Sequence, residues 1–398
     1  MREHLKRVAK VFTGSTPPTN MSRYYDSEDV LWFSPGDMSS DGINLLEPRK
    51  ISKSFIDESS IKLYPANAVL MVGIGATVGK IGLSERPCYT NQQINTIIFN
   101  EAKVLSKFGA YFLLNKSSEI NKKTPIVTLQ IFNQSKVKQV LIDYPSLSEQ
   151  HRIVDYLDEK LSKIDNRVSV LEQQQDTYTR LKKSIIQQAV TRGLNPDVRL
   201  KDSGIEWIGM IPEHWNAMRI KDVVTLVKDK TTDTSGPYIA LENIESWNGK
   251  YIETEAETEG TNSIFKSGDV LFGKLRPYLA KGYIPSYDGI CSSEFFVMRA
   301  NKICYSRYLL YYILSKSVID YIKNKVAGVK MPRTNWFEFG GLPIFLPPLS
   351  EQHAIAAYLD EKCAKIDAAI ENISKQIEAS KRLKRAIINE AISGKTTI

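Results

Sequence analysis

The segment LSEQHRIVDYLDEKLSKID, residues 147–165, returns as LSEQHAIAAYLDEKCAKID at 349–367, 202 positions later. It opens a longer similarity, 147–190 against 349–392, in which roughly half of the positions match. Neither stretch contains Gly or Pro. In the first copy a seven-residue spacing runs through Leu157, Ile164, Leu171, Tyr178 and Ile185, with Leu161, Val168, Gln175, Lys182 and Ala189 four residues behind. The second copy carries Leu359, Ile366, Ile373, Ser380 and Ile387, accompanied by Cys363, Ile370, Ile377, Lys384 and Ala391. Such a seam is the signature of a coiled coil. Ser148 and Ser350, just after prolines, offer N-cap chemistry, and Gly193 and Gly394 mark the ends. Each helix is then about 44 residues, or roughly 65 Å at 1.5 Å per residue.

A long helix with one exposed apolar stripe is not stable alone. Each copy has its most economical partner in the other, because pairing within one chain avoids the entropy of association. The expectation is an internal antiparallel pair, with the polar seam positions Gln175 and Ser380 helping to set register. The alternative is a parallel homodimer.

The segments before the helices echo each other more faintly. LYPANAVL (63–70) leads into GIGATVGKIG, and FKSGDVLF (265–272) leads into GKLRPYLAKG. CYTNQQINTIIF then matches ICSSEFFVMR, a helical stretch follows, and each unit ends in a β-like run into proline. The fold class is α+β: two globular α/β units separated by two long helices that form an antiparallel coiled coil, a pseudo-two-fold repeat. The expected divisions are 1–146, 147–194, 195–348 and 349–398. Within the third, GLNPDVRLKDSGIEWIGMIPEHW (193–215) reads as an ordered connector strapped across a surface rather than a loose linker.

Composition excludes several classes. No apolar run approaches the roughly 20 residues of a membrane span, and MREHLKRVAK lacks the apolar core of a signal peptide. A soluble, cytoplasmic protein is expected. Cys88, Cys291, Cys304 and Cys363 lie far apart, as do the four histidines, which argues against a zinc site or a disulfide framework. Charge is concentrated: residues 266–333 hold 12 Lys/Arg against 4 Asp/Glu. Charge alone leaves two readings open, a polyanion-binding surface and a solvated lysine-rich exterior.

Catalytic motifs fail on inspection. VGIGATVGKIG has five residues between Gly73 and Gly79 and Ile81 after Lys80, so it is not a Walker A loop, and Val78 breaks G-x-G-x-x-G. A glycine-rich hairpin explains it better. The repeated Asp-Glu-Lys triplets (158–160, 360–362) fall on the outer face of a long helix, where surface charge is the simpler account. His151 and His353 sit at helix starts, where a Ser-Glu-Gln-His sequence suits capping or docking rather than catalysis.

Two similar but diverged basic units on a helical spacer match the layout of DNA readers that place two modules in adjacent major grooves, about 34 Å apart. This layout, the doubled LSEQ-H…YLDEK…KID phrase, the connector SGIEWIG…IPEHW and the entry SGDVLFGKLRPYL resemble the specificity subunits of type I restriction–modification enzymes. The resemblance spans the whole chain. It departs in one place, since the SGIEWIG…IPEHW element has no counterpart before the first unit, where the chain starts near His4-Leu5-Lys6-Arg7-Val8.

The resemblance implies a non-catalytic subunit that binds double-stranded DNA, each target recognition domain reading half of a bipartite, asymmetric sequence. It implies docking of two methyltransferase subunits, which bring S-adenosylmethionine to methylate adenine N6. It also implies restriction subunits that use ATP and Mg²⁺, no cofactor on this chain and no membrane partner. Candidate DNA contacts follow from side-chain chemistry. In the first unit they are Lys80, Arg86, Asn91, Gln92, Gln93, Lys122, Lys123 and Gln130. In the second they are Lys274, Arg276, Tyr278, Lys281, Lys330, Arg333, Thr334 and Asn335, with Arg276 and Arg333 foremost. Two other readings stay open: a nuclease or modification enzyme in its own right, and a helical protein-binding scaffold.

Overall fold

The structure is a computed structural model that describes residues 1–395 apart from 26–28, 40–41, 59–61, 123–130, 257, 259 and 326–329. The chain divides into two compact units, Met1–Glu172 with Lys375–Ile398, and Gln173–Ser374. The division falls within both long helices, Leu147–Arg192 and Leu349–Ile392, so each unit takes part of each helix.

In the first unit a four-stranded antiparallel sheet runs Ala9–Thr13, Ile94–Phe99, Ala68–Val72, Ile81–Ser84. Successive side chains of a strand point to opposite faces, and Ala68–Val72 uses both. Val69 and Met71 enter the larger core with Phe108, Leu113 and Leu157, while Leu70 and Val72 pack with Phe33, Tyr64 and Cys88. The second unit repeats the order with Val224–Val227, Phe295–Ala300, Val270–Gly273 and Gly282–Tyr283. Val270 and Phe272 face one cluster and Leu271 the other. In each unit one further strand pair is parallel, Trp32–Phe33 with Tyr89–Thr90 and Tyr238–Ile239 with Ile290–Cys291. The faint echo in sequence is one fold built twice.

The connector is ordered. Leu200–Asp202 pairs with Met210–Pro212, Ile211 and Trp215 enter the second unit's core, and Trp207 stacks on Tyr321 at 4.8 Å. The Trp215 indole N–H donates to Glu351 Oε1 (3.2 Å), and His214 Nε2 lies 2.8 Å from Glu351 Oε2.

Within each unit the helices pack antiparallel. Asp165 meets Lys384 and Arg167 meets Gln376 in the first; Gln175 meets Ser374 and Lys182 meets Asp367 in the second. The seam begins on the heptad positions Leu157, Leu161, Leu359, Cys363, Ile366 and Ile373, all buried, with Leu171 buried and Ile164 half-buried. It then drifts. Tyr178 is exposed and Ile185 and Ile387 are only half-buried, whereas Ile186 and Ile388 are buried. A straight α-helix turns every 3.6 residues and loses a strict seven-residue repeat by about 20° per heptad, so the buried face steps forward by one residue. Those shifted residues feed the globular cores, Ile388 and Ala391 in the first unit and Ile186, Ala189 and Val190 in the second.

Three further expectations change. The helices start at Leu147 and Leu349, so Ser148 and Ser350 lie in the first turn; at the first start Ser146 Oγ accepts the Glu149 N–H (3.3 Å). The Ser380 hydroxyl bonds to its own helix at Gln376 C=O rather than across the seam. The carboxylates of the repeated phrase are not a solvent-facing set. Asp165 and Asp367 take the lysines Lys384 (2.6 Å) and Lys182 (2.7 Å) of the opposing helix. Asp158 binds Lys107 (2.6 Å) and Tyr111 (2.9 Å), and Asp360 binds Arg307 (2.6 Å) and Tyr311 (2.6 Å). Glu159 and Glu361 behave as surface charge, pairing one turn along with Lys163 and Lys365.

Candidate nucleic-acid interface

The loops joining the third strand of each sheet to its edge strand are GIGATVGK in the first unit and KLRPYLAK in the second. Both are held by the same main-chain frame. In the first unit Gly73 N–H donates to Gln93 C=O (2.7 Å), Phe132 N–H donates to Gly73 C=O (2.7 Å), and Ile74 bridges Ile131. In the second, Lys274 N–H donates to Glu294 C=O (2.7 Å), Thr334 N–H donates to Lys274 C=O (3.1 Å), and Leu275 bridges Arg333. These bonds align Gly73 with Lys274, Gln93 with Glu294, Ile131 with Arg333 and Asn133 with Asn335.

The local sequences explain the frame. Asn133 and Asn335 each cap a short helix, Gln134–Lys138 and Trp336–Gly340, by accepting the N–H three residues on. The second short helix is fixed by Phe339 stacked on Phe272 at 4.6 Å and Trp336 against Phe296 at 5.4 Å. The loop needs left-handed backbone at two places. Gly75 (φ 105°) and Gly79 (φ 88°) supply it in the first unit, and Arg276 (φ 48°) and Ala280 (φ 49°) in the second. Side chains in this region are strained, and a residue before proline is restricted further. Met331 (φ 58°), next to Pro332, adds a third strained position, and the Arg276 N–H donates to Pro332 C=O (2.8 Å). Strain of this kind costs on the order of 1–3 kcal/mol and concentrates at binding sites. Arg276→Gly is therefore expected to raise stability by about 1 kcal/mol in denaturant unfolding, because relief of the left-handed strain outweighs the freedom glycine adds to the unfolded chain.

Arg276 and Arg333 come together on neighbouring backbone, both exposed. Arg333 Nη2 lies 2.9 Å from Glu294 Oε1. Half-buried Lys274 sits over the Phe296 ring at 5.3 Å. Burial pulls its ammonium below the usual lysine range; Glu294 opposes that shift, and Lys230 and Arg333 add to it. Lys330 is exposed beside them, and Tyr278 is half-buried in the turn Pro277–Leu279.

Other candidates have structural work. Lys80 and Lys281 both turn inward, donating to Met38 C=O (3.3 Å) and Leu241 C=O (2.8 Å). Asn91 is buried and closes a turn by accepting the Gln93 N–H (3.0 Å), Thr334 is buried, and Asn335 is occupied as a cap. Gln92 is exposed and bonded to Thr16, Gln93 is half-buried, and Arg86 is exposed on a separate turn. Lys122 ends the helix Ser106–Lys122, and Lys123 and Gln130 lie outside the described residues. Glu294 was missed by sequence reasoning, although aligning TNQQINT with CSSEFFV sets it opposite Gln93.

Among the described residues, no group of three or more His, Cys, Asp or Glu could hold a metal ion, and no helix is long and apolar enough to cross a membrane. All four cysteines are buried and free, and burial pushes the thiols of Cys88, Cys291 and Cys304 up to about 11, 12 and 12.

Comparison with known proteins agrees with the duplicated architecture. The family described as "Type I restriction modification DNA specificity domain" matches twice, over residues 3–176 and 212–379. The chain is 23% identical to the type I restriction enzyme EcoDI specificity subunit of Escherichia coli, over 84% of this chain and 79% of that one. It is 21% identical to the MjaIX specificity subunit of Methanocaldococcus jannaschii, over 99% and 93%. A chain from a structure of a type I R-M system, solved to explain its complex assembly and conformational transition, shares the fold with a TM-score of 0.70. The identity there is 16%, covering 98% of this chain and 97% of that one. The duplicated domain match, the repeated fold and the long helices place this chain in the family of type I restriction–modification specificity subunits, which recognise DNA and are not themselves catalytic.

Proposed function

We propose that this chain directs a type I restriction–modification complex to a bipartite, asymmetric DNA target, each recognition domain reading one half. The observation that carries this reading is the loop frame built twice with different side chains at matched positions. Gly73, Gln93 and Ile131 in one unit stand where the other has Lys274, Glu294 and Arg333. One scaffold with two sets of readers suits two unlike half-sites. The recognition domains are assigned to 1–146 and, with the connector, 195–348; the helical regions are 147–194 and 349–398.

On this reading the helices set the spacing of the half-sites and dock two methyltransferase subunits, which use S-adenosylmethionine to methylate adenine N6. Restriction subunits using ATP and Mg²⁺ complete the complex in the cytoplasm. In the first unit Arg86, Gln92, Gln93, Lys122, Lys123 and Gln130 are the candidate readers. In the second they are Lys274, Arg276, Tyr278, Lys330 and Arg333. Footprinting the chain with its methyltransferase partner is expected to show two protected blocks with an unprotected gap. A single continuous block, or DNA cleavage by the isolated chain with a metal ion, would reject it.

A further inference from the structure

We propose that Glu294 is a positioning residue for base recognition by the second unit: it holds the Arg333 guanidinium in one orientation, aimed at a guanine edge. This rests on the reading that the loop cluster meets DNA.

Both partners are anchored by main chain. The Glu294 N–H donates to Ser292 Oγ (3.3 Å), and its carbonyl accepts the Lys274 N–H (2.7 Å). Arg333 is bridged to Leu275, and its neighbours Pro332 and Thr334 bond to Arg276 and Lys274. The 2.9 Å contact between Arg333 Nη2 and Glu294 Oε1 therefore fixes a side chain whose backbone is already set. A guanidinium has five N–H donors, so one bond to Glu294 leaves others for the O6 and N7 of guanine. An arginine held in advance also loses less rotamer freedom on binding.

The pair adds little to stability: the Arg333 side chain is 63% exposed and that of Glu294 25%, and ion pairs that solvent reaches contribute little to folding. The duplicated frame supplies a second line of support. Gln93 and Ile131 occupy the matching places in the first unit, and the same main-chain bonds form there with neither charge. Acid and base are thus present together in one unit and absent together from the other. A carboxylate beside DNA phosphates opposes general attraction, so its retention next to Arg333 fits orientation rather than affinity.

The test uses the chain assembled with its methyltransferase partner and duplexes substituted singly across the second unit's half-site. Arg333→Ala is expected to reduce discrimination at one base pair by about 5- to 150-fold. Glu294→Ala should reduce discrimination at the same pair by about 10-fold, with binding to unrelated duplex unchanged or stronger. The double variant should be no worse than Arg333→Ala alone, and Glu294→Gln, which keeps an acceptor, should recover most of the discrimination. Loss at a different base pair, or additive loss in the double variant, would mean that Glu294 reads DNA itself and would overturn the proposal. If Arg333→Ala relaxes one position and Glu294→Ala relaxes none, the positioning role fails while DNA reading by the loop stands. If neither variant alters discrimination anywhere, the assignment of this loop cluster to DNA fails as well.

Discussion

Asp367→Ala is expected to lower the unfolding free energy by about 3 kcal/mol, the scale for stranding a buried charge. The Lys182 side chain is 9% exposed and that of Asp367 14%, with their contact at 2.7 Å. Lys182 also donates to Asn248, and Lys250 reaches Asp367 at 2.9 Å. Removing the carboxylate leaves the buried Lys182 ammonium with Asn248 as its remaining named partner, while Lys250, half exposed, can turn to water. Replacing both partners by apolar residues, Lys182→Met with Asp367→Leu, should recover at least half of the loss, because a well-packed apolar pair carries no desolvation penalty. Urea unfolding of the three variants measures this directly.

The same pair gives stability a pH dependence. Burial pushes the Asp367 carboxyl up, but its bonds to Lys182 and Lys250 outweigh that and hold it below the usual range. A depressed carboxyl stabilises the fold above its unfolded value, near 4, and the gain disappears as pH falls through the lower folded value. The stability gap between the native chain and Asp367→Asn should therefore be full at neutral pH and close under acid.

Gln352→Leu is the second large effect, expected to cost about 3 kcal/mol. The Gln352 amide is fully buried and makes three bonds: it donates to Ile303 C=O (2.8 Å) and Pro347 C=O (2.9 Å) and accepts the Tyr305 N–H (2.8 Å). Gln150 does the same in the first unit with Lys103 C=O, Pro145 C=O and the Leu105 N–H. Each clamp ties the start of a long helix to the segment leading into the unit's main globular helix. A leucine of similar size fills the space but leaves three main-chain groups unpaired, and each unpaired buried group costs about 1–3 kcal/mol. Thermal melts should fall for Gln150→Leu and Gln352→Leu alike. Gln352→Glu, which keeps the acceptor, should fall less at pH values where its carboxyl is protonated.

The two long helices, their ends at Gly193 and Gly394, the repeat of α+β units and the absence of a catalytic motif were legible in the sequence. Each depends on local rules: uninterrupted helical periodicity, glycine after the last turn, and motif spacings that either match or do not. Contacts between distant residues were not legible. The seam rows hold Lys182 and Lys384 without naming a partner for either, because nothing local says that each lysine meets the other copy's aspartate. Tyr178 read as seam because a seven-residue ruler ignores the 3.6-residue turn. For the reading residues, sequence chemistry put Arg276 and Arg333 foremost but nominated Asn91, Lys281 and Asn335 beside them. Only the folded loops separate a turn-closing amide, an inward lysine and a helix cap from two arginines left facing outward.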